Sequence, residues 1–190
     1  RHLEFVRQCL YPDMDVQLIS TTEAWAQYSV AGPNARKLLQ KIVDQNIDDA
    51  AFPYMGAGNI TVCGGLRARL FRISFTGELG FEVNVNARHG RALWEKLMAA
   101  GKPYDICPYG TETMHVLRAE KGYIIIGQDT DGTVTPEDAG IGWAIGKAKP
   151  DFVGKRSLAR PDIVAKGRKQ LVGLLTENPK TVLVEGAQIV

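Results

Sequence analysis

Phe75-Thr76-Gly77-Glu78-Leu79-Gly80-Phe81-Glu82-Val83-Asn84-Val85 alternates apolar and polar side chains from Glu78 onward. A strand with a period of two puts Leu79, Phe81, Val83 and Val85 on one face and Glu78, Gly80, Glu82 and Asn84 on the other. One face is fit for a core, and the other offers two carboxylates. Upstream, a run from Asn59 to Cys63, a turn at Gly64-Gly65 and a run from Leu66 to Phe75 read as two further strands, with Thr76-Gly77 turning into the third. The stretch from Asn59 to Val85 is therefore predicted to be an antiparallel meander.

The flanks supply the other elements. Val16-Gln17-Leu18-Ile19 and Trp25-Ala26-Gln27-Tyr28-Ser29-Val30 read as two short paired strands. Pro33 fits a first helical position, and the spacing predicts a helix to about Val43 with Leu38, Leu39, Ile42 and Val43 as its apolar stripe. Asn86 can cap a helix over 87–100 that carries Leu93, Trp94, Leu97 and Met98 on one face and stops at Gly101. A third helix is expected from Thr111, as its cap, to Lys121-Gly122. Gln128 to Gly142, rich in Asp, Thr, Gly and Pro, reads as an ordered loop, a kind of segment that often carries function. A basic stretch from Lys147 to Arg168 leads to two expected strands at 170–175 and 181–184. The domain reading is a central α+β region over 1–160 and the start of a β domain over 161–190, with the boundary near 160–168.

Composition narrows the function classes. The 190 residues are 45% hydrophobic and 23% charged, the balance of an ordinary folded domain. A formal net charge of +2, with no long Lys/Arg block, gives no electrostatic footprint for nucleic acid. No apolar run reaches the length of a membrane span, and 1–10 lacks the order of a signal peptide. Cys9, Cys63 and Cys107 are odd in number and scattered, so a reducing, cytoplasmic compartment is expected. His2, His89 and His115 are too dispersed for a metal site or a triad, and HExxH, GxSxG, Walker A and GxGxxG are all absent. The opening at Arg1 and the apolar stop at Ala187-Gln188-Ile189-Val190 read as cut ends.

Spacing leaves two readings of Glu82. It is a solvated glutamate on a half-buried strand, or it meets a ligand across a surface that Gly80 leaves open. A carboxylate accepts two parallel N–H donors, the pattern of a guanidinium and of the 2-amino and N3–H edge of a pterin. Arg67, Arg69 and Arg72 form a solvated face or attract an anion such as a polyglutamate tail, each exposed contact being worth about 1 kcal/mol or less. On the third helix, Met114, His115 and Arg118 occupy one side, with Met114 read as core and Arg118 as structural.

Trp25 through Ala31-Gly32-Pro33, Phe75 to Glu82, Leu117-Arg118-Ala119-Glu120-Lys121-Gly122 and Thr135-Pro136-Glu137-Asp138-Ala139-Gly140-Ile141-Gly142-Trp143 resemble, in order and spacing, the aminomethyltransferase (glycine-cleavage T protein) family. Tyr109-Gly110, the run from Gly127 to Pro136 and the run from Lys149 to Leu158 look like one branch of it, the large subunits of heterotetrameric sarcosine oxidases. The resemblance implies an α+β fold, an antiparallel sheet with packed helices of the folate-binding type followed by the start of a C-terminal β-barrel-like domain. It implies a tetrahydrofolate site that captures a one-carbon iminium intermediate of sarcosine oxidation as 5,10-methylenetetrahydrofolate, formaldehyde being released without folate. Glycine and hydrogen peroxide are the other products of such an enzyme. FAD, FMN, NAD and the other sarcosine oxidase subunits are expected elsewhere in the complex.

By position in the family pattern, Glu82 matches the pterin-binding glutamate and Phe75 stands where many relatives carry a tyrosine beside the folate. Met114 stands where aminomethyltransferases often carry a folate-contacting arginine, and Arg118 matches a second arginine one turn later. The methionine favours an oxidase-type site. The family's reacting aspartate is expected upstream of Arg1, so no catalytic residue is assigned. A free-standing aminomethyltransferase, a dimethylglycine-processing relative and a non-catalytic folate-sensing or subunit-assembly module are the alternatives.

Overall fold

The computed structural model describes residues 2–184 and 186–188. Arg1 and the final Ile189-Val190 of the apolar stop lie outside them. The chain forms two compact units, Arg1–Tyr123 and Ile124–Val190. The expected boundary near 160–168 falls inside the second.

In the first unit the strands β1 (Trp25–Ala31), β2 (Ala57–Val62), β3 (Leu66–Phe71) and β4 (Gly80–Asn86) make one antiparallel sheet in the order β1-β4-β3-β2. β4 is central, pairing Val83 with Tyr28 of β1 and with Leu70 of β3. The predicted alternation holds: Phe81, Val83 and Val85 are fully buried. They join Val30, Ile60, Val62, Ala68 and Leu70 in a core closed by Leu38 and Leu39 of helix α2 (Ala35–Leu39) and by Leu93 and Leu97 of helix α3 (Gly90–Gly101). Full burial of such side chains stabilises by about 1.5–3 kcal/mol each. The core faces one side of the sheet, which leaves the opposite, polar side to carry function.

Several elements differ from expectation. Residues 16–19 join no ladder, because β4 takes one edge of β1 and no strand lies along the other. β3 stops at Phe71 and β4 starts at Gly80, so 72–79 is a connection and Glu78 leaves the strand. The helix after Pro33 is short, with Asn34 at its N-cap, and isolated turns carry the chain to Val43. All four stripe residues are nonetheless buried. Asn86 caps as predicted, accepting from the Arg88 amide at 3.3 Å, but it starts a 3-10 turn before α3. Gly101 is the last residue of α3, where a Cβ would stand 2.6 Å from Ile106, so close packing requires the glycine. Helix α4 (Thr111–Lys121) has the expected extent, with Gly110 rather than Thr111 at its N-cap and Gly122 closing it at φ 83°. The β2–β3 hairpin turns at Gly64-Gly65, whose amides both donate to the Asp44 carboxylate at 2.9 Å.

In the second unit the expected strands at 170–175 and 181–184 do not form a ladder. Leu175, Val182 and Val184 are exposed, and an apolar run with no facing surface has nothing to hold it as a strand. The 128–142 loop is ordered around Asp138, which is buried. The Thr135 amide donates to Asp138 Oδ2 at 3.0 Å, and the Asp138 amide donates to Thr135 Oγ1 at 3.1 Å. Arg168 Nε bridges both Asp138 oxygens at 3.1 Å, and these donors hold the carboxyl well below the ordinary carboxylate pKa. A depressed folded-state pKa makes this contribution complete above the ordinary value of 3.8 and loses it as pH falls below that. Asp138→Ala is expected to speed amide exchange across 133–142 several-fold at neutral pH and progressively less as pH falls below 3.8. Equal exchange in variant and parent at neutral pH would count against this.

Candidate functional site

The sheet's outer face is assembled from the alternate residues of each strand. In register, Ser29, Glu82, Phe71 and Ala57 form one row across β1, β4, β3 and β2, and Gln27, Asn84, Arg69 and Asn59 form the next. Glu82 is half-buried between Ser29 and Phe71. Burial pushes its pKa above the ordinary value of 4.5, and among the described residues no hydrogen bond or cation offsets the desolvation. A half-buried carboxylate so placed can accept two N–H donors.

Gly80 shapes one end of this row, though not by leaving the surface open. A Cβ there would stand 2.9 Å from the Ile73 carbonyl oxygen and 3.5 Å from Ser74. Gly80 therefore admits the backbone of 73–74 onto the face that carries Glu82, one pleat away. The next residue, Phe75, is 39% exposed. Gly80→Ala is expected to destabilise the first unit by about 1–3 kcal/mol, through overpacking, and to displace this connection. An unchanged urea midpoint would remove Gly80 from the account.

Met114 is half-buried and lines a cavity of about 450 Å³ beside β1, together with Ser29, Ala31, Pro33 and Tyr109. The Tyr109 hydroxyl donates to Ser29 Oγ at 3.1 Å. Ser29 thus belongs both to the Glu82 row and to the Met114 cavity. Arg118 is 7% exposed, and its Nη1 donates to the Tyr123 carbonyl at 3.2 Å. Of the three candidate arginines on the sheet, Arg67 and Arg69 share the outer face. Arg72 lies past the end of β3 with its guanidinium 5.0 Å from the Phe81 ring centroid, directed to the core side. Ser29 and Phe71 were not singled out from the sequence, and only strand register brings them to Glu82; Tyr109 joins them through its bond to Ser29.

The GCVT N-terminal domain family matches residues 1–149. The chain belongs to that family. Members of similar sequence include the sarcosine oxidase subunit alpha of Corynebacterium sp. (strain U-96), 49% identical over 99% of this chain and 20% of that protein. The aminomethyltransferase of Halothermothrix orenii is 32% identical over 76% of this chain and 40% of its own length. The mitochondrial dimethylglycine dehydrogenase of Homo sapiens is 34% identical over 90% of this chain and 20% of its own length. The chain spans about a fifth of the length of the oxidase and dehydrogenase relatives. The four-stranded sheet with its helices is thus a GCVT-type domain. Among the described residues, no group of His, Cys, Asp or Glu is placed to hold a metal ion, and no helix is long and apolar enough to cross a membrane.

Proposed function

We propose that this GCVT-type domain binds tetrahydrofolate across the outer face of its sheet, with Glu82 accepting hydrogen bonds from the 2-amino and N3–H edge of the pteridine. The supporting observation is the placement of Glu82: a half-buried carboxylate with no hydrogen-bond or ion-pair partner among the described residues, on a face the core does not use. Phe71 and Phe75 provide flat apolar surface for a ring, and Ser29, held by Tyr109, provides a polar flank. Met114 leaves the α4 side without an arginine charge, which favours an oxidase-type site over the aminomethyltransferase pattern. Arg118, buried and bound to the Tyr123 carbonyl, acts on this reading by holding the C-terminal turn of α4.

The activity that follows is the one-carbon half of sarcosine oxidation. Held by Glu82, tetrahydrofolate would supply the two ring-side nitrogens that accept the methylene carbon of an N-methylene-glycine iminium, their two hydrogens going to the nitrogen of the released glycine. The chain's own residues hold the pteridine and exclude water from its apolar faces, which limits loss of the carbon as formaldehyde. FAD, FMN and NAD, the remaining subunits and a cytoplasmic location complete the proposal for the full-length protein, with 161–190 opening a further β domain. Full-length protein turning over sarcosine with tetrahydrofolate is expected to yield 5,10-methylenetetrahydrofolate in place of free formaldehyde. Formaldehyde yield unaffected by folate would contradict the reading.

A further inference from the structure

A second cavity, of about 700 Å³, opens on the same outer face, bounded by the sheet, by helix α1 (His2–Gln8) and by residues 18–22. Asn84, Arg69, Gln27, Trp25 and Phe71 are its sheet-side wall, and no acidic side chain lines it among the described residues. Asn84 is 9% exposed, and its Nδ2 is buried without a hydrogen-bond partner. A buried amide donor left unpaired is unfavourable, so this one is set for an acceptor that arrives with a ligand. The Arg69 guanidinium lies 4.2 Å from the Trp25 ring centroid. That contact seats the guanidinium on the ring, and among the described residues its N–H groups have no hydrogen-bond partner, so they can serve a bidentate acceptor.

We infer that this cavity holds the carboxylate of the glycine-derived amine whose carbon is transferred, with Arg69 and Asn84 as its donors. Asn84 follows Glu82 by two residues on one face, about 7 Å along the strand. Phe71 belongs to both places, pairing with Glu82 in register and lining the cavity. An amine anchored at Arg69 and Asn84 therefore lies one pleat from a ring anchored at Glu82, which makes the two bound molecules neighbours on one face. The absence of acids suits an anion, and the Trp25 and Phe71 walls suit its α-methylene and N-methylene carbons. This inference rests on the proposed function and adds a residue pair that selects the amine.

The test uses full-length protein and glycine as the probe, with glycinamide, which lacks the carboxylate, as control. Saturation-transfer NMR titrations are expected to show glycine binding weakened about tenfold or more by Arg69→Gln and by Asn84→Ala, with Arg69→Lys intermediate. Glycinamide and tetrahydrofolate affinities are expected to stay within about twofold of the parent. Unchanged glycine binding in both Arg69→Gln and Asn84→Ala would overturn the carboxylate site. Unchanged tetrahydrofolate binding in Glu82→Ala would overturn the folate reading instead, so the two failures are distinguishable.

Discussion

Glu82→Ala in the full-length protein is expected to weaken tetrahydrofolate binding by about 10- to 100-fold or more, the loss of two hydrogen bonds to a charged acceptor at about 1.5–3 kcal/mol each with partial replacement by water. Quenching of pteridine fluorescence reports it directly. Glu82→Gln is expected to bind almost as poorly, because an amide presents one acceptor and one donor to an edge that carries two donors. The stability effect runs the other way. A folded-state pKa raised by desolvation means that ionisation above the ordinary value of 4.5 favours the unfolded chain. Glu82→Gln, which replaces the carboxylate with a neutral amide, is therefore expected to leave the urea midpoint at pH 7 unchanged or higher. Tetrahydrofolate affinity in the parent should fall as pH drops through a midpoint above 4.5, since only the ionised carboxylate accepts both bonds. Parent-like affinity together with a lowered urea midpoint would mark Glu82 as a fold residue.

Phe81→Ala has the largest expected effect on stability, a loss of about 3–5 kcal/mol in the first unit. Phe81 is fully buried in the central strand, and the Arg36 and Arg72 guanidinium groups lie 5.1 and 5.0 Å from its ring centroid. Truncation removes the apolar burial, leaves a cavity under β4 and takes the aromatic face from both cations. Because Phe81 and Glu82 point to opposite faces, folate binding per folded molecule is expected to survive better than in Glu82→Ala. Urea unfolding followed by tryptophan fluorescence measures the first effect, and a loss under about 1 kcal/mol would contradict this description of the core.

Much of this was legible in the sequence because β4 obeys a simple period. From Gly80 to Val85 the alternation alone assigned Phe81, Val83 and Val85 to the core and Glu82 to the other face. The stripe of α2 and the cap at Asn86 were equally local and were found where local chemistry put them. What failed depended on distant partners. Arg72-Ile73-Ser74 continue a strand pattern, and only the approach of the Ile73 carbonyl to Gly80 shows that the chain has left β3. Two carboxylates were expected to share the face, but Glu78 lies in the connection, with its Oε2 buried and unpaired.

The candidate site divides in the same way. The suitability of Glu82 follows from the chemistry of a carboxylate, whereas its neighbours Ser29 and Phe71 follow from the pairing of β1 with β4 and of β4 with β3. Ser29 is more than fifty positions away in the chain, and no periodicity within either segment fixes that register. The runs at 170–175 and 181–184 have strand composition without a strand, since pairing needs a facing surface that composition does not specify.

A crystal structure of the full-length protein with a reduced folate analogue tests the central claim most directly. The 2-amino and N3 nitrogens of the pteridine are expected within roughly 2.7–3.2 Å of the two Glu82 carboxylate oxygens, on the face opposite Phe81. A pteridine bound away from β4, with Glu82 facing solvent or another part of the polypeptide, would contradict it.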